Sequence, residues 1–274
     1  MSGDAGDAKA RTFPSKAPPA DTLLLKPPLI DRQPLERRRI ASPNHDERRA
    51  EIDMLVLHYT GMRDAPAALE RLSDPRSQVS SHYLVDAEGA IFELVCEERR
   101  AWHAGQSAWK GKTDLNSRSI GIEIDHPGHD AGNPPFAHVQ IEAVISLCRE
   151  ILSRWPIRPE RVLAHSDIAP SRKVDPGERF PWERLFRAGI GHWVEPSPLV
   201  EGRVLGLSDK GAEVEELQRS LADYGYGIEA TGRFGPETQI VVEAFQRHFR
   251  QARIDGRADP STLATLRELS RRLV

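Results

Sequence analysis

Three polar residues stand where apolar runs end or break, and they are the first candidates for chemistry. His58 closes Leu55-Val56-Leu57-His58, and His165 closes Val162-Leu163-Ala164-His165. Glu123 interrupts the alternating run Ser119-Ile120-Gly121-Ile122-Glu123-Ile124-Asp125. Ligands of open α/β sheets bind beyond strand ends, where the loops are free to vary. Asp175 follows His165 by ten residues, within Ser171-Arg172-Lys173-Val174-Asp175-Pro176-Gly177. Two histidines, one carboxylate and a water would form a three-ligand, open zinc site of the hydrolytic kind. Spacing alone does not decide this. There is no HExxH, and a structural histidine satisfied by polar neighbours reads at least as well at either position. For Glu123 the competing reading is a salt bridge to Lys or Arg, Lys173 among them, because burying an unpaired carboxylate is costly.

The elements that must position these residues read as α/β from Ala41 to about Val194. Met54-Leu55-Val56-Leu57 is an unbroken apolar run, as expected of a strand buried on both faces. In the run from Ser119, three isoleucines face one side and Gly121, Glu123 and Asp125 the other. His82-Tyr83-Leu84-Val85, a turn over 86–89 and Ile91-Phe92-Glu93-Leu94-Val95 form a predicted hairpin. Arg161-Val162-Leu163-Ala164 is a further strand. Helices are predicted over 65–72 and 139–154, the second with Val144, Leu147, Cys148, Ile151 and Leu152 as its apolar stripe. The fold class is therefore α/β, a central mixed sheet flanked by helices.

Glu195-Pro196-Ser197-Pro198 can continue neither helix nor strand and marks a boundary. Beyond it the pattern is helical only. Ser208 or Asp209 is the expected cap of a helix carrying Val214, Leu217 and Leu221. Gly235-Pro236 opens a second helix with Val241, Phe245 and Phe249, and Asp259-Pro260 a third with Leu263, Leu266 and Leu269. The expected organisation is a disordered segment over 1–40, an α/β domain over 41–194, a linker over 195–203 and a small all-α three-helix domain over 204–272.

Composition removes other classes. The chain of 274 residues exceeds one domain of about 100–200 residues. Its net charge of −3 offers no basic excess, so no nucleic-acid partner is expected. No apolar stretch approaches the roughly 18 residues of a membrane span. Leu23-Leu24-Leu25 is broken by Lys26-Pro27-Pro28, too short for a signal-peptide core of about 7–15 residues, so no export signal is visible. The first 40 residues hold six of the 21 prolines and one aromatic, Phe13, and so read as unstructured. Cys96 and Cys148 have no CxxC partner, which excludes a disulfide scaffold and a cysteine-ligated zinc finger. Two buried thiols are expected, with one disulfide between them left open. No GxSxG motif or Cys–His pair supports a serine or thiol nucleophile.

Six motifs follow one another over roughly 150 residues: Ser42-Pro43-Asn44 with Met54-Leu55-Val56-Leu57-His58-Tyr59-Thr60; Val79-Ser80-Ser81-His82-Tyr83-Leu84-Val85; Ala101-Trp102-His103-Ala104-Gly105; Asn116 with Ser119-Ile120-Gly121-Ile122-Glu123; Ala164-His165-Ser166-Asp167-Ile168-Ala169-Pro170; and Arg172-Lys173 with Asp175-Pro176-Gly177. In this order the chain resembles the type 2 N-acetylmuramoyl-L-alanine amidases, whose fold also includes peptidoglycan recognition proteins and phage amidases. The resemblance implies one Zn2+ per chain held by His58, His165 and Asp175. It also implies that Glu123 acts on the attacking water and that Lys173 helps the oxyanion. The bond cut would be the amide joining N-acetylmuramic acid to L-alanine of the stem peptide, in cell-wall turnover or recycling. His103, Trp102 and Asn116 become candidates for contacting sugar or peptide. Ser81 stands where some relatives place a tyrosine near the metal; others use the strand glutamate, as Glu123 would be used here. His82 is expected to brace the hairpin or the site rim. His45, His126, His129, His138, His192 and His248 lack motif support and are expected to be ordinary surface or loop residues.

Over 204–272 the chain resembles the peptidoglycan-binding domain 1 family, through Gly211, Val214, Leu217-Gln218, Leu221, Gly225-Tyr226, Thr231-Gly232, Phe234-Gly235, Thr238, Val241, Phe245-Gln246, Asp255-Gly256 and Leu263. Most of these are core or turn positions. The implied partner is peptidoglycan or its muropeptides, and a monomer is expected. A wall-binding module favours the cell envelope or periplasm; the missing signal makes the cytoplasm the alternative. A non-catalytic peptidoglycan sensor is the competitor from another class, but such proteins typically lack a zinc ligand and all three are present here. A phage-type lysin would share the same chemistry.

Overall fold

A computed structural model describes Met1 and residues 37–273. Its strands are β1 (Arg37–Arg39), β2 (His45–Glu47), β3 (Met54–Tyr59), β4 (Tyr83–Val85), β5 (Ile91–Glu93), β6 (Arg99–Ala101), β7 (Ser119–Ile124) and β8 (Val162–Ala164). Its α/β part also holds helices α1 (Ala65–Ser73), α2 (Leu115–Arg118), α3 (His138–Arg154), α4 (His165–Ile168) and α5 (Trp182–Arg187). Six of them form one sheet in the order β1-β5-β4-β7-β3-β8. Only the β4–β5 hairpin is antiparallel, so the sheet is mixed, as expected. β2 and β6 make a separate antiparallel pair. Residues 2–36 of the expected disordered segment lie outside the described residues. Its end is corrected: Arg37–Arg39 pair with β5 as an edge strand. The Arg37 guanidinium bonds Glu150 and lies 5.3 Å over the Tyr83 ring, so residues that read as solvated charge have partners in the fold.

The alternation along β7 sorts the molecule into two cores. Ile120, Ile122 and Ile124 join Leu55 and Leu57 of β3 on one face of the sheet. That face is covered by α3 (His138–Arg154), which buries Ile141, Val144, Ile145, Leu147, Cys148 and Ile151. Full burial of such side chains stabilises by about 1.5–3 kcal/mol each. Leu152 packs at the margin. On the opposite face Met54 and Val56 belong to a second cluster. It runs on through Val214, Leu217 and Leu221 of α6 (Ala212–Tyr224), Val241, Phe245 and Phe249 of α7 (Pro236–Phe249), and Leu266 and Leu269 of α8 (Pro260–Arg271). The C-terminal helices therefore share a core with the sheet, and residues 37–273 belong to one compact unit.

The two lobes meet at Trp109, which is fully buried with its ring edge-on to Tyr226 at 5.0 Å and to Tyr224 at 6.1 Å. Lys110 N donates to Gly225 O at 2.8 Å. Gly225 has φ +152, and a Cβ there would lie 2.4 Å from Trp109 Cε2, so this approach requires glycine. Pro236 and Pro260 start their helices as expected, and Asp259 caps α8 by accepting from Thr262 N at 2.8 Å. The expected cap of α6 is displaced. Asp209 accepts from Gly206 N in the preceding turn, and Gly211 occupies the cap. The linker region is tied down, because Ser197 N donates to Thr265 Oγ1 and Ser261 Oγ to Ser197 O. Cys96 and Cys148 are both free, but only Cys148 is buried. Among the described residues no helix is long and apolar enough to cross a membrane.

Because the core is continuous across the junction, chemical denaturation should show one transition for both lobes. Trp109→Ala should lower its stability by about 3–5 kcal/mol. Two resolved transitions, with only one displaced by the substitution, would contradict the shared core.

Candidate metal centre

Parallel register brings the polar residues into a row. β3 and β7 pair His58 directly with Glu123. β3 and β8 pair Leu57 with Ala164, so the next residue, His165, comes level with His58. His165 does not end the strand but begins the short helix α4 (His165–Ile168). Asp175 is brought back to it by Ser166 N, which donates to Asp175 O at 3.0 Å. His58 Nδ1 lies 2.9 Å from His165 Nδ1 and 3.3 Å from Asp175 Oδ2, and His165 Nδ1 lies 3.0 Å from the same oxygen. All three side chains are buried. A tetrahedral zinc with bonds of about 2.0–2.1 Å sets its ligand atoms roughly 3.3 Å apart, so this donor set fits such a metal in type and in spacing.

The protonation states also suit a cation. Burial, then the neighbouring His165, lowers the His58 pKa to about 4, leaving a neutral imidazole. Burial alone would raise the Asp175 carboxyl, but His165 and His58 hold it well below the usual carboxylate range. Metals require deprotonated ligands, and His58 and Asp175 meet that requirement at neutral pH.

Glu123 borders this cluster without joining it. Among the described residues its buried Oε2 has no hydrogen-bond partner, and the salt bridge weighed against a chemical role is not formed. Burial, reinforced by Asp175 and opposed by Lys173, raises its carboxyl well above the ordinary value. Glu123, Lys173, His165 and Asp175 share the wall of a cavity of about 520 Å³ with Tyr59 and Arg71. A second cavity of about 400 Å³ reaches Asp46, Arg100 and Asn116. Trp102, His103 and Lys173 line both, so the cavities adjoin across them.

The three residues expected to touch substrate divide. Trp102 lines both cavities, and its buried Nε1–H has no partner among the described residues. His103 stands behind the ligands as well as in the wall. His58 Nε2 donates to His103 Nδ1 at 2.9 Å, and His103 Nε2 donates to Ser119 Oγ at 3.2 Å, whose hydroxyl donates to Leu115 O at 2.6 Å. This direction leaves the His58 Nδ1 lone pair for the metal cluster. The chain needs Gly121, where a Cβ would lie 2.6 Å from the His103 ring. Asn116 Oδ1 accepts from His103 N and Ala104 N, fixing the turn that carries His103.

Other histidines differ from expectation. His82 braces as expected, accepting from Gly121 N at 2.9 Å and donating to Arg99 O. His126 and His248, expected as surface or loop residues, are buried. His126 stacks on Phe136, and His248 lies between Trp182 and Phe249 on α7. Ser81 is fully buried with its hydroxyl donating to Gly121 O, away from the cavities. Sequence reasoning missed Ser119 and Arg48. The Arg48 guanidinium donates to the carbonyls of Glu97, Asn116, Ser117 and Ser119, bracing the short helix Leu115–Arg118 where it enters β7. Neither carries a type or spacing signal; Gly121 facing inward was the one hint that a bulky ring lay beside it.

A family model described as N-acetylmuramoyl-L-alanine amidase matches residues 48–178, and one described as "Putative peptidoglycan binding domain" matches 210–266. The chain is 44% identical over 230 residues to N-acetylmuramoyl-L-alanine amidase AmiD of Escherichia coli (strain K12), covering 78% of this chain and 80% of the relative. Its fold is similar to that of AmiD from E. coli in complex with the substrate anhydro-N-acetylmuramic acid-L-Ala-D-gamma-Glu-L-Lys, with TM-score 0.70, 40% identity, and 85% and 91% of the two chains covered. It is also similar to AMPDH3 from Pseudomonas aeruginosa in complex with anhydromuramic pentapeptide, with TM-score 0.67, 33% identity, and 81% and 92% covered.

His103→Phe keeps the ring volume and removes the acceptor behind His58. It should weaken zinc binding by about 10–100-fold in a chelator competition. Unchanged affinity in the folded variant would show that His103 only lines the cavity.

Proposed function

The chain belongs to the N-acetylmuramoyl-L-alanine amidase family, and from that premise we propose that it hydrolyses the amide between N-acetylmuramic acid and L-alanine with one Zn2+ held by His58, His165 and Asp175. The observation that carries this reading is the row of His58, Glu123 and His165 across β3, β7 and the corner after β8, with convergent donor atoms beside a carboxylate unpaired among the described residues in a cavity. When bound, the metal would supply Lewis acidity, acidifying water and polarising the carbonyl. Glu123 is the general base and then the general acid. Its raised pKa makes it a better proton acceptor than a solvated carboxylate, and, once protonated, it donates to the departing amine of L-alanine. Lys173 lines the same cavity and makes no ion pair among the described residues, so its charge is available to the developing oxyanion. The unpartnered Trp102 N–H offers the substrate a hydrogen bond, while His103 and Asn116 hold the wall behind it.

The complexes of the two relatives make an anhydromuramyl peptide the first substrate to test. Peptidoglycan is the polymer to compare with it, through the C-terminal module. A module of a peptidoglycan-binding family is suited to polymer, and on that ground the cell envelope is the proposed place of the reaction.

Mass spectrometry of the products should find free peptides beginning with L-alanine, absent after metal removal by a chelator. No release from either substrate by the zinc-loaded, folded protein would favour a sensor. Glu123→Gln should lower kcat by about 10²–10⁴-fold while zinc stays bound. In the metal-free protein the raised Glu123 pKa works against folding: the stability it leaves is full below the ordinary carboxyl pKa and falls as pH rises through the higher folded value. Glu123→Gln should therefore raise the neutral-pH melting temperature of the stripped protein, and a fall would contradict the desolvation cost.

A further inference from the structure

Asp167 is fully buried two residues after His165, and no proposed catalytic step uses it. Its Oδ2 accepts from Ala164 N at 2.8 Å, closing the corner at which β8 becomes α4. The two other donors to this carboxylate come from the C-terminal helical lobe. Tyr226 Oη donates to Oδ1 at 2.8 Å, and His248 Nδ1 donates to Oδ2 at 2.7 Å. Both are buried, each with about 2% exposure. The His248 ring is held by stacking on Trp182 and Phe249, with centroids 3.7 and 3.8 Å away. The Tyr226 ring is held against Trp109.

The corner fastened in this way carries two of the three ligands. His165 is the first residue of α4, and Ser166 N donates to the carbonyl of Asp175. Without Tyr226 and His248, a buried carboxylate would keep one donor and would have to shift toward water or new partners, taking the corner with it. A module whose only task was to hold polymer would not need two buried donors aimed at the turn beneath a metal ligand.

We propose that the C-terminal helices are a working part of the metal centre, with Tyr226 and His248 as positioning residues that act through Asp167 on His165 and Asp175. This rests on the zinc amidase reading above. The consequence is that the lobe supports hydrolysis of soluble substrate, where no polymer needs to be held.

The test uses the full chain. Tyr226→Phe/His248→Phe removes both donors and keeps both rings. Its zinc dissociation constant, read by chelator competition, should rise by about 10-fold, and kcat on a soluble anhydromuramyl peptide should fall with KM within about twofold. Placing Asn at position 248 in the Tyr226→Phe background, His248→Asn, returns an amide donor and should recover part of both losses. Leu269→Ala cavitates the same lobe far from Asp167 in sequence. It should lower the melting temperature with zinc affinity unchanged. Zinc affinity and kcat like wild type in the double variant would overturn the proposal, as would an equal loss of affinity in Leu269→Ala. If the double variant does not fold, Tyr226→Phe alone decides: a rise of about threefold or more in the zinc constant supports the proposal, and none overturns it. Zinc affinity is read without turnover, so a wild-type protein that released no peptide would sink the amidase reading and leave this comparison standing.

Discussion

Parallel pairing in register is the constraint from which the site follows. Adjacent parallel strands hold paired residues side by side with their side chains on the same face, so fixing β3 against β7 and β8 fixes His58 against Glu123 and, one residue on, His165. A slip of one residue would turn His58 into the α3 core and bring Leu57 to the metal face. The apolar residues that forbid this slip are Leu55, Leu57, Ile120, Ile122 and Ile124, packed under α3. Packing on one side of the sheet thus secures the geometry of chemistry on the other.

That chemistry is assembled from groups that are individually unfavourable to bury. The neutral imidazoles of His58 and His103, a carboxylate held ionised and a second carboxylate without a partner among the described residues lie within one small region. Their cost is offset by apolar burial elsewhere, and they are kept in place by polar chains that run outward from them: His103 to Ser119 behind one histidine, and Asp167 beneath the other.

The row of polar residues was legible in the sequence because each broke an apolar pattern at a strand end, and a residue out of period has few bland explanations. The β7 alternation, the β4–β5 hairpin and the C-terminal helix starts at proline were legible for the same local reason. The supports were not. Ser119, Arg48 and Asp167 look ordinary in their own neighbourhoods; their roles come from residues 16, 71 and 81 positions away, which no local period encodes. His248 shows this most clearly: its polar type reads as surface, yet it lies on the apolar face of α7 and its ring is enclosed by aromatics from two lobes. The shared core escaped for a related reason. Met54 and Val56 signal burial, and nothing local says that the covering helices lie more than 150 residues later.

That shared core bears on how the chain is made. During synthesis the α/β part leaves the ribosome first, and the sheet face bearing Met54 and Val56 has no cover until the residues of α6, α7 and α8 emerge. Domains that can close their own cores fold as they appear, but this one must wait with an apolar face open to chaperones or to other nascent chains. Nor do the strand ends receive their lower support until Tyr226 and His248 arrive. Until those residues are translated, the carboxylate of Asp167 has only Ala164 N among the three donors found for it in the described residues.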